Sequence, residues 1–190
     1  MSSHRANSRE RILVAAAEVA RNAGPGSLSL DAIAQRAGVS KGGLLYNFPT
    51  KAKLLQGLVG KHIEQMEASL DEASKRSEPL LSAYLRLIES SSADGQAPAA
   101  WIFSAIAEDP EFLEPINQFR RRLFARLRSE VSDVGDLLVA FMAMEGLHCL
   151  KLFDVDLLSP EERTLLLERV RAIVSDDRAK DRTDEVRARA

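Results

Sequence analysis

The chain has 190 residues, 45% of them hydrophobic and 28% charged, so it can bury a core while keeping a well-hydrated surface. Its formal net charge is only −2, which excludes a uniformly basic protein, and its single cysteine, Cys149, excludes an intramolecular disulfide. There is no apolar run of about 18 residues for a membrane span, and the polar first 11 residues lack a signal peptide core. We therefore expect a cytoplasmic protein with no membrane partner.

Positive charge is concentrated near the N-terminus. The first 60 residues carry eight lysines and arginines against three acids, a net charge of +5. The remaining residues carry 18 bases against 25 acids, a net charge of −7. A basic segment joined to an acidic body indicates a two-part molecule whose first part binds a polyanion.

Helical spacing of apolar residues begins near residue 9 and predicts a first helix over residues 9–23. A second, short helix is predicted over residues 31–37, with Ser29 as its N-cap and Gly38 at the C′ position. The inward residues of these two helices are Ile12, Ala16, Val19 and Ala23, then Ile33, Ala34 and Ala37.

A third short helix is predicted between the cap Ser40 and Pro49, and it contains two adjacent glycines. Gly42 and Gly43 each cost about 1 kcal/mol relative to alanine inside a helix. Burial of a leucine or phenylalanine contributes roughly 1.5–3 kcal/mol, which offsets this cost. The predicted anchors are Leu44, Leu45 and Phe48. The alternative interpretation of the glycine pair is a loop between two bundle helices.

The rest of the chain continues the helical pattern and shows no strand alternation, which predicts an all-α fold of about nine helices. Thr50 is expected to cap a long fourth helix that ends near Lys75. Residues 135–153 form the most apolar helix, and a capping box at 159–162 opens the last one. Residues 176–190 are charged and predict a disordered tail. Other helices are predicted after Pro79, from Pro98 to Glu108, and after the cap Asp109 and the helix restart at Pro115.

The order of helix, glycine-containing turn and second short helix is the helix-turn-helix arrangement, whose second helix enters the DNA major groove. The stretch "SLDAIAQRAGVSKGGLLYNFPTKAKLL", residues 29–55, resembles the DNA-binding segment of the TetR family of bacterial transcriptional repressors. The "AAAEVARNAG" ending of the first helix is similar too, so the likeness covers roughly residues 9–60. Two positions differ from many members, Leu45 in place of tyrosine and Asn47 in place of histidine.

The resemblance implies a helix-turn-helix DNA-binding domain over residues 1–50 and a helical ligand-binding and dimerisation domain over residues 51–175. A phosphate is expected at Ser29, and Tyr46 is expected to reach a phosphate or a thymine methyl group. Ordinary solvated side chains are the alternative for the lysines, and core packing is the alternative for Tyr46. The complete expected DNA-contacting set is Ser29, Ser40, Lys41, Gly42, Gly43, Leu44, Tyr46, Asn47, Thr50 and Lys51.

The helix over residues 135–153 is apolar on all sides, so we expect it to be buried on all sides, against a twin subunit and against a pocket. With the resemblance, this predicts a homodimer through the last two helices, with Leu166, Val170 and Ile173 on the interface. A core helix of a monomer is the alternative. The candidate pocket residues are Trp101, Phe103, Phe119, Leu123, Phe141, Met142, Glu145 and His148.

These patterns together predict a ligand-responsive regulator of transcription, a repressor that a small-molecule effector releases from palindromic double-stranded operator DNA. A DNA-binding helical protein without a ligand switch is the alternative. No residue pattern indicates an enzyme, a metal site or a cofactor. The fourth helix, over residues 51–75, is the expected link between effector and DNA.

Overall fold

The computed structural model describes residues 2–22, 29–90, 106–107, 109–152 and 155–188. In these ranges the chain forms eight α-helices and one 3-10 turn and contains no strand, so the predicted all-α fold is confirmed. The elements are α1 Ser2–Asn22, α2 Leu30–Ala37, α3 Lys41–Asn47, α4 Lys51–Lys75, α5 Leu80–Ser90, the 3-10 turn Pro110–Leu113, α6 Glu114–Glu130, α7 Val134–Leu152 and α8 Pro160–Ala188.

The described residues fall into two compact units. The first unit contains the residues up to Met66 together with 106–119, and the second contains 67–90 and 120–188. Helices α4 and α6 therefore contribute residues to both units. The division lies inside α4, downstream of the domain boundary predicted at residue 50.

The first unit is built around a core shared by α1, α2, α3 and the start of α4. Much of this core comes from the apolar faces that helical spacing predicts for the first two helices. Phe112, from the 3-10 turn, joins the same core although it lies far along the chain. The buried members are Ile12, Leu13, Ala15, Ala16, Ile33, Ala34, Ala37, Leu44, Phe48, Ala52, Leu54, Leu55 and Phe112.

In the second unit, only one side of α7 is buried. Leu137, Phe141 and Met144 face the interior, whereas Val139 is 60% exposed and Met142 58% exposed. The predicted burial against a twin subunit therefore stays a prediction, because the single chain covers only one side of α7. An apolar sequence does not distinguish a face covered by its own chain from one left open.

Helix α8 buries the side on which Val170 and Ile173 lie, so these residues pack inside their own chain. Their prediction as interface residues is wrong, and Leu166 is partly buried beside them. In the part of α8 whose side chains are described, the large apolar residue that is exposed is Leu165, at 68%.

The capping box at the start of α8 is present. The Ser159 hydroxyl accepts the Glu162 amide hydrogen at 3.2 Å, and the Glu162 carboxylate accepts that of Ser159 at 2.8 Å. The helix continues to Ala188 and so includes most of residues 176–190, for which the sequence predicts a disordered tail. No proline or glycine follows Pro160, and alanine and arginine favour a helix.

The helix predicted from Pro98 to Glu108 lies outside the described residues except for residues 106–107, which are helical. In the described part of the chain, no helix combines the length and hydrophobicity that crossing a bilayer requires.

Candidate nucleic-acid interface

Three side-chain N-caps fix the first residues of α2, α3 and α4. The hydroxyls of Ser29, Ser40 and Thr50 each accept a hydrogen bond from the backbone amide three residues later, at 3.3, 3.0 and 3.1 Å. Such a cap satisfies an otherwise unpaired amide and stabilises a helix by about 1 kcal/mol. All three predicted caps are confirmed.

The turn between α2 and α3 is a Schellman motif centred on Gly38. Gly38 adopts φ +63°, in the left-handed region that favours glycine. Its amide donates to the Gln35 carbonyl at 3.1 Å, and the Val39 amide donates to the Ala34 carbonyl at 3.0 Å. The predicted C′ glycine is therefore confirmed, and it fixes the direction in which α3 leaves the turn.

Arg11, on α1, braces this turn from outside the motif. Its guanidinium donates to the carbonyl of Ala37 and, at 2.9 Å, to that of Gly38. A Cβ atom on Gly38 would lie 2.9 Å from the Arg11 Nη2 atom, so a side chain there would displace the end of Arg11 and would also be strained by the positive φ. No sequence spacing indicated this contact, because the partners lie 26 and 27 residues apart.

The inner face of α3 is held by Leu44, which has no exposed surface, and the residue after the helix, Phe48, is also buried. Leu44 therefore positions the helix and cannot touch DNA, which corrects its place in the predicted contact set. Gly57, on α4, packs against Phe48 so closely that a Cβ there would lie 2.8 Å from the ring. Arg9 covers Phe48 with its guanidinium carbon 5.1 Å from the ring centroid.

The outer face of α3 is open. Tyr46 is 68% exposed, which excludes the core alternative for this residue, and Lys41 is also exposed. A Cβ atom on Gly42 would meet only the Ser40 hydroxyl, at 3.9 Å, whereas one on Gly43 would lie 3.3 Å from it. Neither glycine has a positive φ, so the fold itself gives no reason for a glycine at position 42.

Two predicted DNA-contacting side chains already have partners in the protein. The Lys41 ammonium forms an ion pair with Asp31 of α2 at 3.1 Å, and both groups are exposed. Such a surface pair is worth little and exchanges readily for another anion. The Asn47 amide donates to the Gly43 carbonyl at 2.8 Å and so binds the backbone of α3. Lys51 is partly buried in the first turn of α4.

Lys53, two residues further along α4, forms an ion pair that the sequence did not indicate. Its ammonium lies 2.7 Å from Asp109, whose other oxygen accepts the Glu111 amide hydrogen at 3.0 Å. The hydrogen bond from Lys53 is the main reason that the pKa of Asp109 is lowered. With the buried Phe112, this pair fixes the segment before α6 onto the first unit.

The described members of the predicted effector set belong to both units. Trp101 and Phe103 lie outside the described residues. Phe119 is buried in the first unit and Leu123 in the second. Met142 lies on the open face of α7, so its assignment to an interior pocket is wrong for the single chain.

Phe141 and Glu145 both contact Tyr84 in the second unit. The ring of Phe141 lies 6.0 Å from that of Tyr84 and 5.2 Å from that of Phe124, between centroids. The Glu145 carboxylate accepts a hydrogen bond from the Tyr84 hydroxyl and lies 2.5 Å from the guanidinium of Arg120. Burial, reinforced by this carboxylate, raises the pKa of Tyr84, so its hydroxyl remains a donor.

His148 lies elsewhere, in a cleft of about 410 Å³ between α5, α7 and α8. This cleft, called the α5–α7–α8 cleft below, belongs entirely to the second unit. Sequence reasoning identified only one of its members, because the others are ordinary charged and apolar helix positions. Its lining is Ile88, Glu89, Leu147, His148, Lys151, Arg163, Leu167 and Arg171.

A capped helix-turn-helix with an open second helix, joined to a separate helical unit, is the arrangement of a DNA-binding transcriptional regulator. A family model described as "Bacterial regulatory proteins, tetR family" matches residues 12–58. A second, described as "Tetracyclin repressor-like, C-terminal domain", matches residues 78–175. The chain therefore belongs to the TetR family, as its sequence resemblance indicated.

Solved structures agree with this assignment. A candidate transcriptional regulator from Streptomyces coelicolor A3(2) shares 28% identity, with a TM-score of 0.60 over 87% of this chain and 97% of that one. A transcriptional regulator from Rhodococcus sp. Rha1, at 19% identity, shares the fold with a TM-score of 0.56 over 89% of this chain and 95% of that one. Among curated proteins, none shows significant sequence similarity to the chain.

Proposed function

We propose that the protein is a ligand-responsive repressor, a homodimer that binds an inverted-repeat operator through α3 and releases it when an effector occupies the second unit. The observation that carries the DNA-binding part is the two-sided character of α3. Leu44 is fully buried, while Lys41, Gly42 and Tyr46 are exposed on a helix whose turn is braced by Arg11. A helix with one face packed against the core and the other exposed is suited to the major groove, which takes one α-helix.

The charge distribution supports the same surface. The first 60 residues carry a net charge of +5, although the whole chain is slightly acidic. Thr50 and Lys51 stand at the N-terminus of α4, where unpaired amides and the helix dipole favour a phosphate. Phosphate contacts of this kind orient a protein on the duplex, and groove contacts from α3 then select the sequence.

The open faces of α7 and α8 support a dimer. Leu138, Val139 and Met142 form an exposed apolar stripe on α7, and Gly146 continues it without a side chain. Leu165 is exposed on α8. An apolar stripe with a small residue allows two helices to approach closely, and a two-fold axis would bring the same stripe of a second copy onto it.

The release step rests on α4, which contributes residues to both units and carries the caps and cations at its N-terminal end. An effector that binds one arrangement of the second unit more tightly shifts the population toward it. A shift that changes the separation of the two α3 helices removes the match to half-sites about 34–36 Å apart. The magnitude of release is set by the difference in effector affinity between the two arrangements.

The test begins with selection of bound duplexes from random DNA by the full-length protein. We expect an inverted repeat, bound with a steep salt dependence, and a dimer in light scattering at micromolar concentration. An effector screen for release of the selected duplex then tests the switch. Binding that depends on salt but not on sequence, or a monomer bound to a single half-site, would refute the proposal.

A further inference from the structure

The α5–α7–α8 cleft combines an apolar floor with a positively charged rim. Ile88 and Leu147 are buried at its base, and Leu167 is partly buried. The charged residues of the lining are three cations and one carboxylate, namely Lys151, Arg163, Arg171 and Glu89. A concave site that pairs apolar surface with a few polar groups is the usual form of a small-molecule site.

The cleft lining is positively charged although this part of the chain is acidic overall. The chain beyond residue 60 carries a net charge of −7, but the cleft lining has an excess of cations over carboxylates. Cations gathered in a concave, low-dielectric site concentrate anions there. The rim therefore favours an anionic ligand over a cationic one.

Glu89 and Arg171 show that a cation of the rim can bind a carboxylate. The Arg171 guanidinium donates to the Glu89 carboxylate at the edge of the cleft, across the gap between α8 and α5. A planar guanidinium binds a carboxylate through two parallel donors, which makes it selective for this group. Arg163 lies two helical turns before Arg171, on the same side of α8.

We infer that this cleft binds an amphipathic carboxylate, with the acid group at Arg163 and Lys151 and the apolar body over Ile88 and Leu147. This inference rests on the proposed function, because it assigns the chemical class of the effector. The volume of about 410 Å³ is in the range of sites for small organic molecules.

The position of the cleft connects its occupant to the proposed dimer face. On α8, Arg163, Leu167 and Arg171 recur every four residues, and Leu165 lies on the opposite side of the helix. On α7, the cleft residues Leu147 and Lys151 likewise lie opposite the stripe that contains Met142. A ligand in the cleft would therefore contact α7 and α8 on the sides opposite to those that form the proposed dimer interface.

Calorimetric titration of the full-length dimer with three probes of equal chain length tests the ligand class. The probes are decanoate, 1-decanol and decylammonium, which share an apolar body and differ in charge. We expect decanoate to bind and to raise the unfolding temperature, and its affinity to fall as salt screens the rim. Equal or tighter binding of the alcohol or the ammonium would overturn the inference.

Charge variants of opposite sign locate the site. Arg163→Gln is expected to weaken decanoate binding about tenfold, since it removes a charge-assisted hydrogen bond to the carboxylate. Glu89→Gln is expected to tighten it, because it removes the competing carboxylate. Arg128→Gln, an exposed cation of α6 outside the cleft, is the matched control and should leave affinity unchanged. Equal losses in Arg163→Gln and Glu89→Gln at unchanged unfolding temperature would refute the assignment.

The outcomes separate this inference from the proposed switch. If decanoate binds with these variant effects but the selected operator stays bound, the cleft is a carboxylate site and the release mechanism is wrong. If a neutral or cationic compound releases the operator and Arg163→Gln does not change its affinity, the proposed switch is supported and the carboxylate assignment is wrong.

Discussion

Helices α3 and α7 are each buried on one side and open on the other, but their open sides differ in chemistry. The open side of α3 presents Lys41, Gly42 and Tyr46, whereas that of α7 presents Leu138, Val139 and Met142. The buried sides explain why both helices form in one chain. The open sides indicate the partner, because a polar, cationic face suits a nucleic acid and an apolar face suits another protein surface.

The α7 side of this comparison is tested by Val139→Glu, for which we expect the largest effect. A two-fold axis would place the two introduced carboxylates near each other inside an apolar interface, which is strongly unfavourable. We expect a monomer in light scattering and a loss of operator affinity of about 100-fold or more, since the two half-sites would no longer be bound together.

Val14→Glu is the matched control for this variant, because Val14 is an exposed apolar residue on a different helix, α1. It should remain a dimer at the same concentration. A dimer of unchanged stability in the Val139→Glu protein would show that the open face of α7 has another partner.

The buried side of α3 is tested by the adjacent leucines. Leu44→Ala should lower the free energy of unfolding by about 2–5 kcal/mol, because it leaves a cavity in the core of the first unit. Leu45 is 36% exposed, so Leu45→Ala should lower the free energy of unfolding clearly less. Urea unfolding monitored by circular dichroism measures both, and similar losses would mean that α3 is not anchored on one side.

The open side of α3 is tested by Gly42→Ala against Gly60→Ala, two helical glycines with free space around a Cβ atom. Both substitutions should raise the free energy of unfolding, by up to about 1 kcal/mol. Only Gly42→Ala should weaken operator binding, by about tenfold, because its methyl group separates the backbone from the groove. A variant at position 42 that gains stability and keeps full affinity would remove the functional reason for this glycine.

The N-terminal end of α4 is tested by Lys51→Ala, with the smallest expected effect. Loss of one phosphate contact should weaken binding to all sequences alike and reduce the slope of log affinity against log salt by about 0.9. Lys75→Ala, at the other end of the same helix, should leave the slope unchanged. Equal slopes for the two variants would assign Lys51 to the solvated surface.

Local features of this fold could be predicted from sequence, and contacts between distant residues could not. Ser29, Ser40 and Gly38 act on amides and carbonyls within a few residues, so their spacing alone identifies them. The brace from Arg11 and the insertion of Phe112 join segments far apart in the chain, and periodicity contains no information about what a helix meets.

The side of a helix that its own chain covers depends on the same kind of distant contact. For α7, an apolar sequence indicates burial without indicating which side its own chain covers. The predicted DNA-contacting set includes Leu44 together with exposed residues of α3, although helical spacing places Leu44 on the other side.

The central claim, that the open face of α3 lies in a DNA groove, is tested most directly by Tyr46→Ala in a fluorescence anisotropy titration with the selected operator. Tyr46 is largely exposed, so the substitution should leave the unfolding temperature unchanged. We predict a loss of operator affinity of about tenfold, equivalent to 1.4 kcal/mol. An unchanged affinity at unchanged stability would contradict the account, because the most exposed side chain of α3 would then have no part in binding.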